Sequence, residues 1–252
     1  PMPVSRVLFT SSGSEANDTQ VKLAWYYNNA LGRPNKKKII SRMKAYHGVT
    51  VMAGSLTGLP ANHLNWDLPV DRVLHAECPH YYRFGKDGET EAEFVARLAA
   101  SLRELIEREG PDTIAAMIAE PVMGAGGVIV PPKSYFPAIQ EVLDEHDNMF
   151  IDDEVINGFG RTGNWWGCQT FGMKPTTLST AKQLTSAYAP LGAVLVPEEI
   201  YQACVDNSAS VGTFGHGFTY GGHPLGCALG VKAIEIYQKR DVIGHVRTLA
   251  PL

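Results

Sequence analysis

With 252 residues and 44% apolar side chains, the chain can bury a large core as one big α/β domain or one and a half smaller ones, which excludes a disordered chain. A net charge of −4 and no basic run longer than Lys36-Lys37-Lys38 leave no electrostatic footprint for nucleic acid, and no stretch approaches the roughly 18 apolar residues of a membrane helix. Cys78, Cys168, Cys204 and Cys227 form no Cys-x-x-Cys pair, so neither a disulfide framework nor a zinc site is expected, and reduced thiols in the cytoplasm fit best.

Short apolar runs alternate with longer amphipathic ones, the pattern of a parallel or mostly parallel sheet with helices on both faces. In chain order, strands are expected at 7–10, 38–42, 72–75, 115–120, 149–153, 177–180 and 192–196, about seven in all. Three-and-four spacing of apolar residues predicts helices at 15–30, 90–108, 135–145, 198–206 and 224–239. The Pro- and Asn-rich stretch 57–67 and the aromatic stretch 79–84 read as loops on the ligand side. The opening Pro1-Met2-Pro3-Val4 has no secretory pattern, the chain begins abruptly at a strand, and it ends just after His245-Val246-Arg247 in what reads as an unfinished helix, so both ends of a longer protein are expected to be missing. Residues 1–240 are expected to form the large domain and 241–252 the start of a connection to a C-terminal small domain.

Several segments carry chemistry. Phe150-Ile151-Asp152-Asp153-Glu154-Val155 ends a strand in acids, and Lys182 follows the strand at 177–180 among small residues. Together they suggest a buried carboxylate and a buried, desolvated amine, the pair that an aldehyde cofactor with a protonated pyridine ring requires. Ser12-Gly13-Ser14-Glu15-Ala16-Asn17 sits where a strand gives way to a helix, either as an anion seat of free backbone amides or as an ordinary helix cap made by Ser14 with Asn17. Tyr46-His47-Gly48 places an aromatic ring and an imidazole at a strand's carboxyl end, where open α/β sheets bind ligands, although a lone Tyr-His pair is more often packing or a satisfied core polar group. Glu120 ends another strand before the Gly-rich turn 124–127. Gly158-Phe159-Gly160-Arg161-Thr162-Gly163 matches the three-glycine dinucleotide pattern, but no helical period follows and three acids precede it. A nucleotide triphosphatase fails too, since no Gly-Lys-Ser/Thr loop exists.

In their order along the chain, these segments, with Pro190-Leu191-Gly192 and Gly217-Phe218-Thr219-Tyr220, resemble the class III (ω-amino acid) aminotransferases of the pyridoxal-phosphate fold type I. The resemblance implies the α/β large domain of that fold and pyridoxal 5'-phosphate as cofactor. It casts Lys182 as Schiff-base lysine and proton shuttle, and Asp153 as partner of the pyridine nitrogen. Val155 and Tyr46 would pack on the two ring faces, Gly13 and Ser14 would donate to the phosphate, and Glu120 would help to anchor the surroundings. Thr219 would reach the phosphate of a neighbouring subunit, which implies a homodimer, or a dimer of dimers, with shared active sites. No metal, nucleic acid or membrane partner is implied.

Ornithine- and γ-aminobutyrate-type members carry a Glu in the turn after Glu-Pro, where this chain has Ala125, so the resemblance leans to the ω-amino acid:pyruvate branch. The substrate carboxylate-binding Arg would then lie outside the chain. The expected reaction moves an amino group from an ω-amino acid or amine to an oxo acid such as pyruvate. An epimerase, an aminomutase or a decarboxylase of the same class, or an inactive dimerisation module, are the alternatives.

Overall fold

The computed structural model describes residues 2–250. Seven strands, β1 (Arg6–Thr10), β2 (Lys38–Arg42), β3 (Val73–Ala76), β4 (Ile114–Ala119), β5 (Met149–Asp153), β6 (Thr177–Thr180) and β7 (Gly192–Val196), form one sheet in the order β1-β7-β6-β5-β4-β2-β3. Neighbours from β6 to β3 are parallel, whereas β7 runs antiparallel to both β6 and β1. The mostly parallel sheet is therefore as expected, with β7 reversed: only residues 181–191 separate it from β6, and an antiparallel neighbour needs no long crossover.

Helices α1 (Gly13–Ala30), α2 (Val51–Leu56) and α7 (Glu198–Val211) cover one face, burying Val21, Leu56 and Ile200 against Ile118 and Ile151. The other face carries α3 (Tyr81–Phe84), α4 (Glu91–Glu109) and α5 (Tyr135–Glu145), with Phe94, Leu102, Phe136 and Val142 packed on Met117 and Phe150. All of β4 is buried, as a strand covered on both faces must be. A capping box starts α4: Thr90 Oγ1 accepts from Glu93 N–H (3.3 Å) while the Glu93 carboxylate accepts from Thr90 N–H (2.8 Å). The remaining helices are α6 (Gly167–Phe171), α8 (Pro224–Lys239) and α9 (Val242–Leu249). Among the described residues, no helix is long and apolar enough to cross a membrane.

Three elements were not expected. Helices α2, α3 and α6 span six, four and five residues, too short to show a repeating apolar period. Helix α7 runs past the expected end at 206 because Ser208, polar in sequence, finds a partner in Tyr26 Oη (2.9 Å) and the chain turns only at Gly212, φ 89°. The stretches read as loops are not wholly irregular: 79–84 contains α3, where Tyr81 packs at a tilt on Phe94 (ring centroids 5.5 Å apart), and in 57–67 Thr57 Oγ1 accepts from His47 N–H (2.9 Å) while His63 Nε2 lies 3.0 Å from Gly54 O. The glycine run 158–163 makes irregular turns, with Phe159 and Gly160 at φ 61° and 107°, and α9 packs on it through Ile243 beside Gly160. That turn opens no helix, in keeping with the rejected dinucleotide reading.

Candidate active site

β5 is the strand that positions the site. Its last residue, Asp153, points to the α1 face and is 2% exposed. Its Oδ2 accepts from Asn17 Nδ2 on α1 (2.7 Å) and lies 2.7 Å from His47 Nδ1, while its Oδ1 accepts from the N–H of Val155 (3.0 Å). Because the carboxylate can only accept, Nδ1 is the protonated nitrogen of His47. Asn17 also donates to His47 O (2.8 Å), so it ties the helix to the loop after β2 and to the end of β5 at once. A buried carboxylate with three N–H donors is the arrangement that tolerates negative charge inside a protein.

A second buried carboxylate shapes the neighbouring wall. Glu120, just after β4, accepts from the N–H of Tyr46 at Oε1 (3.0 Å) and from the N–H of Gly124 at Oε2 (3.1 Å). Burial nevertheless pushes its ionisation up. The effect is to staple the loop carrying Tyr46 to the turn after β4. Opposite, α1 begins at Gly13, capped by Ser12, whose Oγ accepts from Glu15 N–H (3.1 Å). The cap is therefore Ser12, not Ser14, and the N–H groups of Gly13 and Ser14 have no acceptor within the helix. A side chain at Gly13 would meet Val155 Cγ1 at 2.9 Å, so only glycine lets the helix start sit this close to Val155.

Gly13, Ser14, Tyr46, Glu120, Asp153, Val155 and Lys182 line one cavity of about 190 Å³, with Ser12, His47, Gly48, Ile156 and Ala181. The structure thus brings together residues spread over most of the sequence. Lys182 stands two residues beyond β6 at φ 38°, a left-handed conformation that is uncommon away from glycine. It is exposed, contrary to the expectation of a buried amine: the segment after β6 leaves the sheet at once, and the cavity opens to the surface of this chain. Thr219 is not in the cavity wall; it is exposed in the turn before α8. Sequence reasoning passed over Asn17 as a cap residue and His47 as packing. The available signal was spacing, since Asn17 stands four residues after Gly13 and therefore on the same side of α1.

The family model for class-III aminotransferases matches residues 1–250. Over 248 residues the chain is 57% identical to the probable gamma-aminobutyrate transaminase 2, mitochondrial, of Oryza sativa, covering 98% of this chain and 50% of that protein. It is 56% identical to the gamma aminobutyrate transaminase 3, chloroplastic, of Solanum lycopersicum, covering 98% and 48%. Among solved structures, a transaminase with L-alanine superposes with a TM-score of 0.95 at 56% identity, covering 96% of this chain and 57% of that one. The omega transaminase of Pseudomonas jessenii in complex with PMP superposes with a TM-score of 0.96 at 51% identity, covering 97% and 54%. The chain spans about half the length of the curated relatives it matches.

Proposed function

The chain belongs to the class-III aminotransferase family, and from that membership we propose that the protein moves an amino group from an ω-amino acid or amine to an oxo acid such as pyruvate. One observation carries the reading: a lysine amine and a buried, three-donor carboxylate share a single cavity. The family uses pyridoxal 5'-phosphate, and the cavity fits it chemically. The first-turn amides of α1 suit a phosphate, Val155 and Tyr46 offer flat-ring contacts, Asp153 suits a protonated pyridine nitrogen, and Lys182 supplies the amine for the aldehyde.

When bound, the cofactor supplies an electron sink that lets a substrate carbon–hydrogen bond ionise. The chain's own residues do the rest. Asp153, held by Asn17, His47 and Val155, would face the ring nitrogen and favour its protonated form. Lys182 Nζ, in the wall of the same cavity, would be the group that takes up the substrate proton and gives it back. Glu120 fixes Tyr46, and Gly13 fixes Val155, so the two sides of the slot keep their spacing.

Two parts of the reading rest on the family alone. Thr219, exposed and outside its own cavity, is proposed to complete the phosphate site of a second subunit in a homodimer with shared active sites. Residues 241–252 are proposed to begin the connection to a small domain. The relatives named above carry gamma-aminobutyrate in their names, so that donor belongs beside β-alanine and simple amines in the assay, with pyruvate and 2-oxoglutarate as acceptors. Purified protein loaded with the cofactor should show a near-visible band that shifts on adding a donor, with stoichiometric formation of the amino product from one acceptor. No band and no product with any pair would overturn the proposal.

A further inference from the structure

β5 and the residue after it supply three consecutive acids, and the chemistry above uses one. Asp152 and Glu154 point to the face opposite Asp153, as strand alternation requires, and both are 0% exposed, as is Cys168 of α6. Ligand atoms of the three residues lie within 4.8 Å of one another. Cys168 N–H donates to Glu154 Oε1 (2.7 Å). Among the described residues, both oxygens of Asp152 and Oε2 of Glu154 have no hydrogen-bond partner, although all three atoms are buried.

Two ionised carboxylates cannot occupy such a place. Each would forfeit its hydration, they would repel at short range, and no cation offsets either of them. The titratable group that faces them is Cys168 from α6, while Asp153, beside them on the strand but turned to the other face, acts only through space, and neither carries positive charge. One proton resolves the whole arrangement: a protonated Asp152 becomes a donor, and Glu154 Oε2 is the acceptor left without one. The Cys168 thiol, pushed up by burial and by both acids, keeps its hydrogen and adds a weak donor.

We propose that Asp152 and Glu154 share a single proton, with Asp152 as donor, and that this bond positions the Asp153–Val155 corner of the site. Glu154 is pinned by its backbone as well, its N–H donating to Ser179 O (2.9 Å) and its carbonyl accepting from Gly158 N–H (2.9 Å). Val155, next in line, donates to Asp153 and lines the cavity. Charge repulsion between Asp152 and Glu154 would drive the strand end and the turn apart, and Val155 would leave Asp153 with them.

Infrared spectroscopy of the protein at neutral pH tests this first. A protonated-carboxyl band that shifts in D₂O should be present in the wild type and lost in Asp152→Asn. Absence of the band, or its persistence in that variant, overturns the proposal. The second test is the pH dependence of stability. The pair's ionisation is raised in the folded state, so the folded protein keeps a proton that the unfolded chain releases above about pH 4. Stability should therefore fall as pH rises from there, and Asp152→Asn should flatten the fall; an identical slope in the variant overturns the proposal. Elemental analysis showing a stoichiometric divalent metal in the wild type and none in the variant would overturn it too, in favour of a metal site. Finally, pyridoxal 5'-phosphate should bind Asp152→Ala about tenfold more weakly than Asp152→Asn, which retains a donor. That arm rests on the proposed cofactor, whereas the others do not, so a failure of each is told apart; equal affinities would refute the positioning role.

Discussion

The two faces of β5 treat the same residue type in opposite ways. On the α1 face, Asp153 meets three N–H donors, from a helix, from the loop after β2 and from its own turn. On the α5 face, Asp152 meets none among the described residues, and a second carboxyl and a thiol lie within 4.8 Å of it. Both side chains are as buried as each other, so burial alone does not decide what a carboxyl becomes inside this fold. Partners decide it: donors on one side keep a charge available to the cavity, and their absence on the other side calls for a proton.

The largest effect expected is at the residue that shares the cavity with Asp153. Lys182→Ala should abolish turnover while the melting temperature changes little, because the exposed side chain contributes almost no packing. Borohydride should fix the cofactor to Lys182 in the wild type, read by peptide mass, and a reduced cofactor on another lysine would take Lys182 out of the site. The comparison between faces is put at risk more directly by paired substitutions. Asp153→Asn should lower kcat/KM by orders of magnitude, since a neutral amide cannot hold the ring proton and a charge-assisted bond of roughly 2–3 kcal/mol is lost. Asp152→Asn should cost far less, because the amide keeps a donor toward Glu154. Equal losses would show that the two faces are not distinct in function.

Next in size come the donors themselves. Asn17→Ala removes the bonds to Asp153 Oδ2 and to His47 O and leaves His47 as the remaining side-chain donor. A loss of about 1–3 kcal/mol, or roughly fivefold to 150-fold in kcat/KM, is expected. A variant as active as the wild type would mean that His47 and Val155 suffice and that the three-donor account overstates what Asp153 needs.

How much of this was legible in the sequence follows the range of the interactions involved. Strands β2, β5, β6 and β7 and helices α5 and α8 fall where pattern reading puts them, because burial on both faces or on one stripe is written locally. Asp153, Lys182, Tyr46 and Glu120 were found because each stands at or near the end of a strand, where an open α/β sheet gathers its ligand contacts. The donors to Asp153 were not found, since Asn17 and His47 reach it across 136 and 106 positions, and a polar residue in an amphipathic helix looks like a solvated one. The opposite characters of Asp152 and Asp153 were legible only as alternation, while the presence or absence of donors had to be seen. The exposure of Lys182 was misjudged because small flanking residues suggest burial, yet the chain leaves the sheet there.

The smallest effect tests whether the rule drawn from β5 extends to a third buried carboxylate. Glu120 accepts two backbone N–H groups, one at each oxygen, and so resembles Asp153 more than Asp152. Gln is nearly isosteric but ends in one acceptor and one donor. Whichever way it is turned, its NH₂ confronts the N–H of Tyr46 or that of Gly124, and one side of the staple opens. About 1 kcal/mol is at stake, the value of a single hydrogen bond, so Glu120→Gln should weaken cofactor affinity roughly fivefold through the displaced Tyr46 and leave kcat at saturating cofactor close to wild type. Fluorescence titration of the apoprotein measures the first and steady-state kinetics the second. If affinity is unchanged, Tyr46 is held by its other contacts and Glu120 is a passive occupant of the strand end. If instead kcat falls as far as in Asn17→Ala, Glu120 acts on the reaction through more than the wall it holds, and its carboxylate belongs with Asp153.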